Sequence, residues 1–413
     1  MDGGHHHGGC CAERGMIPLD AALATYSEHL GALAPLRLPL AHALGHVLAE
    51  TAQSAIDLPM FTQSAVDGYA LRTEDATKTL RVVGEIAAGS PPGLVLQPGC
   101  AMRIFTGGAL PEGADACARQ EVVDRDGDDI RIQKALRACT DIRFLGEELR
   151  RGESLAVAGQ RLRSGLIAAL AMAGIDSVMV RPKPRVALIV SGNEVANVGD
   201  PLAPGQINDA NTPLVTSWLG ERGYPLASVT RVGDDPNLLR DALSHALARA
   251  DLVITTGGVS VGDRDYVPEV AAQLGVRRIF WKVAQKPGKP LWFGVDEAGK
   301  ALLGFPGNPA AVLIGLHVHA QCLLATLEGE MVNATTWRPG KLAADVRADA
   351  QRDQLVRVAA VASPDGSILL TPLQRQDSHM LSNLAIANGL AWIRRGPEPA
   401  VAGSVVTWLP LSP

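Results

Sequence analysis

The amino-acid sequence predicts a multidomain α/β plus β protein, and three patterns predict it. Between residues 183 and 327, short apolar runs alternate with amphipathic helical stretches, which is the signature of a doubly wound parallel sheet. Ahead of this segment, residues 46–140 carry short β-rich runs separated by Gly-Pro punctuation. Behind it, residues 328–413 return to short strands. At 413 residues the chain exceeds what one core ordinarily fills, roughly 100–200 residues, so several domains are expected.

The elements follow in order. Residues 1–15, with His5, His6, His7, Cys10 and Cys11 among glycines, lack an apolar stretch and read as a disordered tail whose ligand types suit a soft metal. Leu19, Leu23, Tyr26 and Leu30 then form one helical stripe that breaks at Pro35, an opening helix pair over 16–45. A β-rich insert occupies 46–140, with strands at 80–86, 101–105 and 129–133 and a Ser90-Pro91-Pro92-Gly93 turn. Ser164 offers an N-cap to a helix over 166–173 closed by Gly174, so 16–45 and 141–182 together make a helical linking domain.

After Lys183-Pro184 the α/β domain begins. A strand at 185–190 leads to a helix at 213–220, capped by Asn211 or Thr212 with Pro213 in its first turn. A strand at 226–232 precedes a helix at 236–250 whose Leu239, Leu243, Ala246 and Leu247 share one face. Strands at 252–255 and 301–304 follow, and a long apolar helix starts at Pro309 and runs to about residue 327. Strands at 355–361, 367–372, 390–394 and 404–409 close the chain as a β-barrel or sandwich over 328–413.

Composition excludes several function classes. A formal net charge of −5 does not supply the basic face that nucleic acid or an anionic membrane requires. Six cysteines without a CxxC pair suit a reducing cytoplasm. The continuous apolar runs stay well short of the roughly 18 residues of a membrane span.

The chemistry gathers at strand ends. Thr255-Thr256-Gly257-Gly258-Val259-Ser260-Val261-Gly262 runs out of an apolar strand. Gly257, Gly258 and Gly262 allow backbone amides to approach a phosphate, and Thr256 and Ser260 add hydroxyls; a tight strand-to-helix turn is the plain alternative. Lys282, Lys286 and Lys289 crowd a proline-bracketed turn in a net acidic protein. Gly304-Phe305-Pro306-Gly307-Asn308-Pro309 opens the long helix, with Asn308 as its N-cap. Glu194, Asp234, Asp235, Asp263 and Asp265 follow strands and suit Mg²⁺ beside phosphate, while Asp234 and Asp265 equally suit helix N-caps. In the insert, Asp67 and the Thr106-Gly107-Gly108 turn repeat the pairing of a polar residue with glycine. No nucleophile elbow is present, and His317 and His319 read as core or interface residues.

Taken together, S-A-V-D-G-Y-A at 64–70, R-I-F-T-G-G-A-L-P-E-G at 103–113, S-G-N-E-V at 191–195, T-T-G-G-V-S-V-G-D-R-D-Y at 255–266, K-P-G-K-P at 286–290 and G-F-P-G-N-P at 304–309 resemble the molybdopterin molybdenumtransferase family, to which MoeA and the gephyrin E domain belong. The resemblance spans residues 16–410 in the family's motif order. It implies four domains, a C-terminal β-barrel among them, in a cytoplasmic homodimer whose active site lies between the α/β domain of one subunit and the insert of the other. It also implies a reaction in which adenylylated molybdopterin and molybdate give molybdenum cofactor and AMP with Mg²⁺. Transient contacts with the molybdopterin adenylyltransferase and with apo-molybdoenzymes are implied as well.

Position by position, the resemblance carries catalytic roles onto Asp67, Glu194, Asp234, Asp265, Lys282 and Lys286. It carries ligand contacts onto Thr106, Arg143 and Ser378, which join Gly257, Gly258, Ser260, Gly262, Lys289, Pro306 and Asn308 from the loops read above. Asp265 is the first choice for the metal-linked carboxylate, with Asp234 and Glu194 beside it. Three positions depart from the family pattern: Glu148 replaces a usual aspartate, Phe144 opens a pair that is often basic, and Asn193 replaces a frequent aspartate. Two rivals stand against this reading: the adenylylating sister enzyme, which shares only the α/β domain, and a non-catalytic pterin-binding scaffold.

Overall fold

The computed structural model describes residues 15–259, 265–331 and 337–411. They form two compact units. One contains the described residues up to Leu36, Gly159–Arg161 and those from Arg181 onward; the other contains Arg37–Ala158 and Leu162–Val180.

The first unit is built on a six-stranded sheet, in the order Leu226–Val232, Val186–Ser191, Leu252–Thr256, Ala301–Phe305, Trp292–Val295 and Arg277–Trp281. The first four strands are parallel, as the sequence predicts. The last two are antiparallel additions, which the sequence does not announce. Alternation along Val186–Ser191 places Val186, Leu188 and Val190 in one core and Ala187 and Ile189 in the other, so the sheet is buried on both faces. Pro236–Arg249 and Val267–Gln273 cover one face. Leu19–His29, Asn211–Glu221 and the helix over 309–327 cover the other.

Several local expectations change. The opening helix pair is a single helix, Leu19–His29, followed by a strand, Leu36–Pro39, because Gly31, Pro35 and Pro39 interrupt helical continuation. The helix at Ser164–Met172 takes Ser164 as its first residue, and its N-cap position is Arg163. Asp209, rather than Asn211 or Thr212, satisfies the start of the next helix, accepting from the Thr212 N–H at 2.9 Å and the Thr212 hydroxyl at 2.6 Å. Pro309–Leu327 forms one 19-residue helix, apolar enough by length and composition to cross a membrane, but 89% of its apolar window is buried in the protein. It is a core helix, interrupted by a π turn at Leu316–Ala320.

The C-terminal strands close into a five-stranded barrel. Asp353–Ala362, Ile368–Pro372, Arg338–Leu342, Val405–Pro410 and Gly389–Ile393 pair in that order, and the last pairs back onto the first. Gln285–Lys286 adds to the barrel as a short parallel strand, with Lys286 opposite Gln354.

The second unit holds a six-stranded sheet, in the order Ala116–Arg119, Gly68–Leu71, Cys100–Ile104, Leu80–Ile86, Asp129–Ile132 and Val123–Asp126. A smaller core of Leu48, Leu162, Leu170, Val178 and Val180 gathers around Ser164–Met172. Gly68 is sterically obligatory, because a Cβ there would stand 1.9 Å from the Ala118 carbonyl oxygen. The chain beside Asp67 therefore packs more closely than any side chain permits.

Candidate functional site

In the first unit the parallel strands end together, as open α/β sheets require of a ligand site. Thr256 runs into Gly257 and Gly258, both left-handed at φ +87° and +70°. A Cβ on Gly257 would meet the Ser191 carbonyl oxygen at 2.6 Å, so glycine here satisfies both conformation and space. The Gly257 N–H donates to the Phe305 carbonyl at 2.9 Å, and a Cβ on Gly307 would come within 4.0 Å of the Gly257 Cα. The loop after Leu252–Thr256 thus lies against the loop that opens the long helix. Ser260, Gly262 and Asp263 lie outside the described residues.

The neighbouring loop is anchored from two sides. Asn211, mostly buried, donates its side-chain N–H to the Gly307 carbonyl at 2.8 Å. Asn308 occupies the N-cap position with extended geometry but makes no side-chain cap bond. Its amide donates instead to the Ser378 hydroxyl at 3.0 Å, which ties the start of the long helix to the barrel loop. Pro306, just before Gly307 and Asn308, is half-buried.

The carboxylates separate into caps and non-caps. Asp235 caps Pro236–Arg249, accepting from the N–H groups of Asn237 and Leu238, so Asp234 is not that cap. The N-cap position of Val267–Gln273 is Tyr266, one residue after Asp265, and the Tyr266 side chain makes no cap bond. The Val267 N–H donates to the Gly258 carbonyl, returning the segment of Asp265 to the glycine turn. Asn193 accepts from the Asp234 N–H at 3.2 Å and so ties the ends of two adjacent strands together. Glu194 is exposed, and its carboxylate lies close over Gly192. Among the described residues no three His, Cys, Asp or Glu side chains form a metal-holding group, so Glu194, Asp234 and Asp265 do not make a closed protein cage.

The basic residues are arranged around a turn. Lys282 is left-handed at φ +73°, held by backbone bonds through its N–H to Leu291 and its carbonyl to Ile17. Its ammonium lies 4.4 Å from the centre of the Trp281 ring, and the Trp281 indole donates to the Val259 carbonyl at 2.9 Å. Lys286 and Lys289 are exposed on the next turn. With Arg347, Arg352 and Gln354 they line a cavity of about 720 Å³. Asp349, also in the lining, is engaged by Arg352 at 2.8 Å, so the cavity keeps a basic excess.

Arg357 is the site residue that the sequence reading missed. It is fully buried, and its guanidinium donates to the carbonyls of Arg375, Asp377 and Met380 and to the Gln376 side chain. It therefore sets the loop that carries Ser378. An arginine at a core-facing position of an apolar strand is the only sequence signal for it.

In the second unit, Asp67 and Thr106 are brought into direct contact. The Thr106 N–H and hydroxyl both donate to Asp67, at 2.8 and 2.9 Å. These bonds, with the nearby Arg103 guanidinium, hold the Asp67 carboxyl below its usual range. The ionised form of Asp67 is thereby favoured over that of an ordinary carboxylate. Arg143 is exposed on the short strand Ile142–Arg143, paired opposite Gln63.

Residues 17–174 match the MoeA N-terminal region (domain I and II), residues 187–326 a probable molybdopterin binding domain, and residues 339–411 the MoeA C-terminal region (domain IV). The chain is 32% identical over 378 residues to a molybdopterin molybdenumtransferase of Staphylococcus epidermidis, covering 90% of each. It is 37% identical over 306 residues to one of Nostoc sp., covering 72% of this chain and 70% of the relative. The solved structure of a molybdopterin biosynthesis MoeA protein from Pyrococcus horikosii superposes with a TM-score of 0.79 at 29% identity, covering 96% of this chain and 99% of that one. With three family regions in sequence and full-length likeness in both sequence and fold, the chain belongs to the molybdopterin molybdenumtransferase (MoeA) family.

Proposed function

We propose that this transferase of molybdenum cofactor biosynthesis joins molybdenum from molybdate to adenylylated molybdopterin and releases AMP, at the strand ends that carry Gly257, Gly258, Asp234 and Asp265. The observation that carries the reading is the convergence of three features in one unit. The glycine turn packs on the start of a long helix, and that helix start is tied through Asn308 to Ser378. In the same unit, Lys286 and Lys289 line a basic cavity with Arg347 and Arg352. Both substrates are anions. Backbone amides at the glycine turn other than that of Gly257, which is bonded to Phe305, donate to phosphate oxygens, while Lys282, Lys286 and Lys289 offset charge on the phosphates and on molybdate.

Mg²⁺ fits this donor set. Carboxylate oxygens beside a phosphate are the donors this ion takes, one or two from the protein with phosphate and water completing its shell. Asp265 and Asp234 are the residues that would hold it, with Glu194 the third carboxylate at the same strand ends. When bound, the ion supplies charge neutralisation on the phosphates. We assign Asp67 and Thr106 to the completion of a second subunit's site in a cytoplasmic homodimer, since their paired geometry presents an exposed, ionised carboxylate on the insert. Contacts with the adenylyltransferase and with apo-molybdoenzymes belong to the same proposal.

Purified protein incubated with adenylylated molybdopterin is expected to release AMP when molybdate and Mg²⁺ are both added. No AMP release under those conditions would remove the transferase reading in favour of a non-catalytic pterin-binding scaffold.

A further inference from the structure

Beneath the basic turn runs a buried chain of side chains with no part in the chemistry described so far. His319 lies in the π turn of the long helix and is fully buried. Its Nδ1 is 2.9 Å from the Tyr26 hydroxyl, and its Nε2 is 2.7 Å from the Gln285 Oε1. The Gln285 amide nitrogen donates to the Gly288 carbonyl at 3.3 Å, inside Lys286-Pro287-Gly288-Lys289. Gly288 is left-handed at φ +87°, and a Cβ on it would meet that same amide nitrogen at 2.8 Å.

The direction of this chain is set by its far end. A carbonyl accepts only, so the Gln285 amide must point its nitrogen at Gly288 and its oxygen at His319. His319 Nε2 must then carry a hydrogen, and Nδ1 must accept from the Tyr26 hydroxyl. Every bond is satisfied in one sense only. Burial favours the same state: it drives the His319 pKa down to about 3 and raises the Tyr26 hydroxyl well above its ordinary value, so the ring is neutral and the phenol keeps its proton.

We propose that His319 is a positioning residue for the anion site: held as the Nε2–H tautomer by Tyr26, it orients Gln285, which fixes the Gly288 carbonyl and with it the placement of Lys286 and Lys289. The π turn belongs to this device, because its altered winding sets the direction in which His319 leaves the helix. The inference rests on the anion-binding role given to the basic turn, and wild-type AMP release tests that role separately.

The test compares Gln285→Met, His319→Leu and His319→Gln with an active wild type in the AMP-release assay, alongside thermal unfolding. Gln285→Met and His319→Leu are expected to raise KM for adenylylated molybdopterin or molybdate by roughly tenfold, the effect of misplacing about one charge-assisted contact, with kcat within about twofold. His319→Gln still presents an N–H toward Gln285 and recovers most of that affinity; a merely structural histidine would show lost stability with no such recovery in KM. Nitrogen-15 NMR of histidine-labelled wild type supplies a readout independent of any variant's folding, with Nε2 protonated and Nδ1 bare from about pH 5 to 8. Unchanged KM in folded Gln285→Met, or an Nδ1–H or doubly protonated ring, would overturn the proposal.

Discussion

Asp265→Asn is expected to lower AMP release by about two orders of magnitude or more while leaving the fold in place. The substitution preserves side-chain shape and removes one charge. Its effect on stability should stay near the usual size for a point substitution, about 1 kcal/mol, because asparagine keeps the volume of the side chain. Its effect on turnover should be large, because the Val267 N–H to Gly258 bond keeps this segment on the glycine turn, where phosphate negative charge must be offset. Asp234→Asn should act in the same direction. Steady-state AMP release, with circular dichroism as the fold control, checks both, and undiminished turnover in a folded Asp265→Asn protein would remove that carboxylate from the mechanism.

Arg357→Met is expected to destabilise the protein by about 3–5 kcal/mol and to impair substrate binding as well. Methionine fills similar volume but leaves the carbonyls of Arg375, Asp377 and Met380 without the guanidinium that now satisfies them. Those carbonyls belong to the loop that presents Ser378 to Asn308, so the loss should spread to the start of the long helix. Burial in the strand lowers the Arg357 pKa from its ordinary value, and the ring of carbonyl acceptors compensates the buried cation. Denaturant unfolding checks the first effect and the KM for molybdate the second. An unfolding midpoint within error of wild type would show that the loop is held by something other than Arg357.

How much of this was legible in the sequence depended on whether local pattern and global packing agreed. Leu80–Ile86 and Leu226–Val232 fall where their apolar runs and flanking turn residues place them, and the four parallel strands follow from strand and helix alternation. Arg277–Trp281 and Trp292–Val295 escaped notice because a basic turn separates them and neither alternates cleanly over its length. Arg338–Leu342 was hidden by Pro339 and Gly340, residues that ordinarily exclude a strand; Gly340 is required there because a Cβ would meet Leu370 and Trp408 at 2.8 and 2.9 Å.

The site was legible as residue types and much less so as geometry. Glycines, lysines and acids at strand ends marked an anion site, and Asp67 and Thr106 proved to be hydrogen-bonded partners. Sequence could not distinguish Asp234 from Asp235 as the helix cap, since both precede Pro236 and only backbone direction decides which oxygen reaches Asn237 and Leu238. Nor could it show that Asn193, a departure from the family pattern, would bond the Asp234 backbone. Asn308 looked like a cap and instead reaches across to Ser378, a contact 70 residues away in sequence that no local pattern encodes.

The proposed reaction couples release of AMP to insertion of molybdenum at this strand-end site. Its most direct measurement follows AMP and pterin-bound molybdenum together in a single incubation of the protein with adenylylated molybdopterin, molybdate and Mg²⁺, using activation of an apo-molybdoenzyme to count the cofactor formed. Equal amounts of AMP and transferable cofactor are expected, both lost in Asp265→Asn. AMP released without any transferable cofactor would contradict this coupling, since the site would then only hydrolyse the adenylylated pterin.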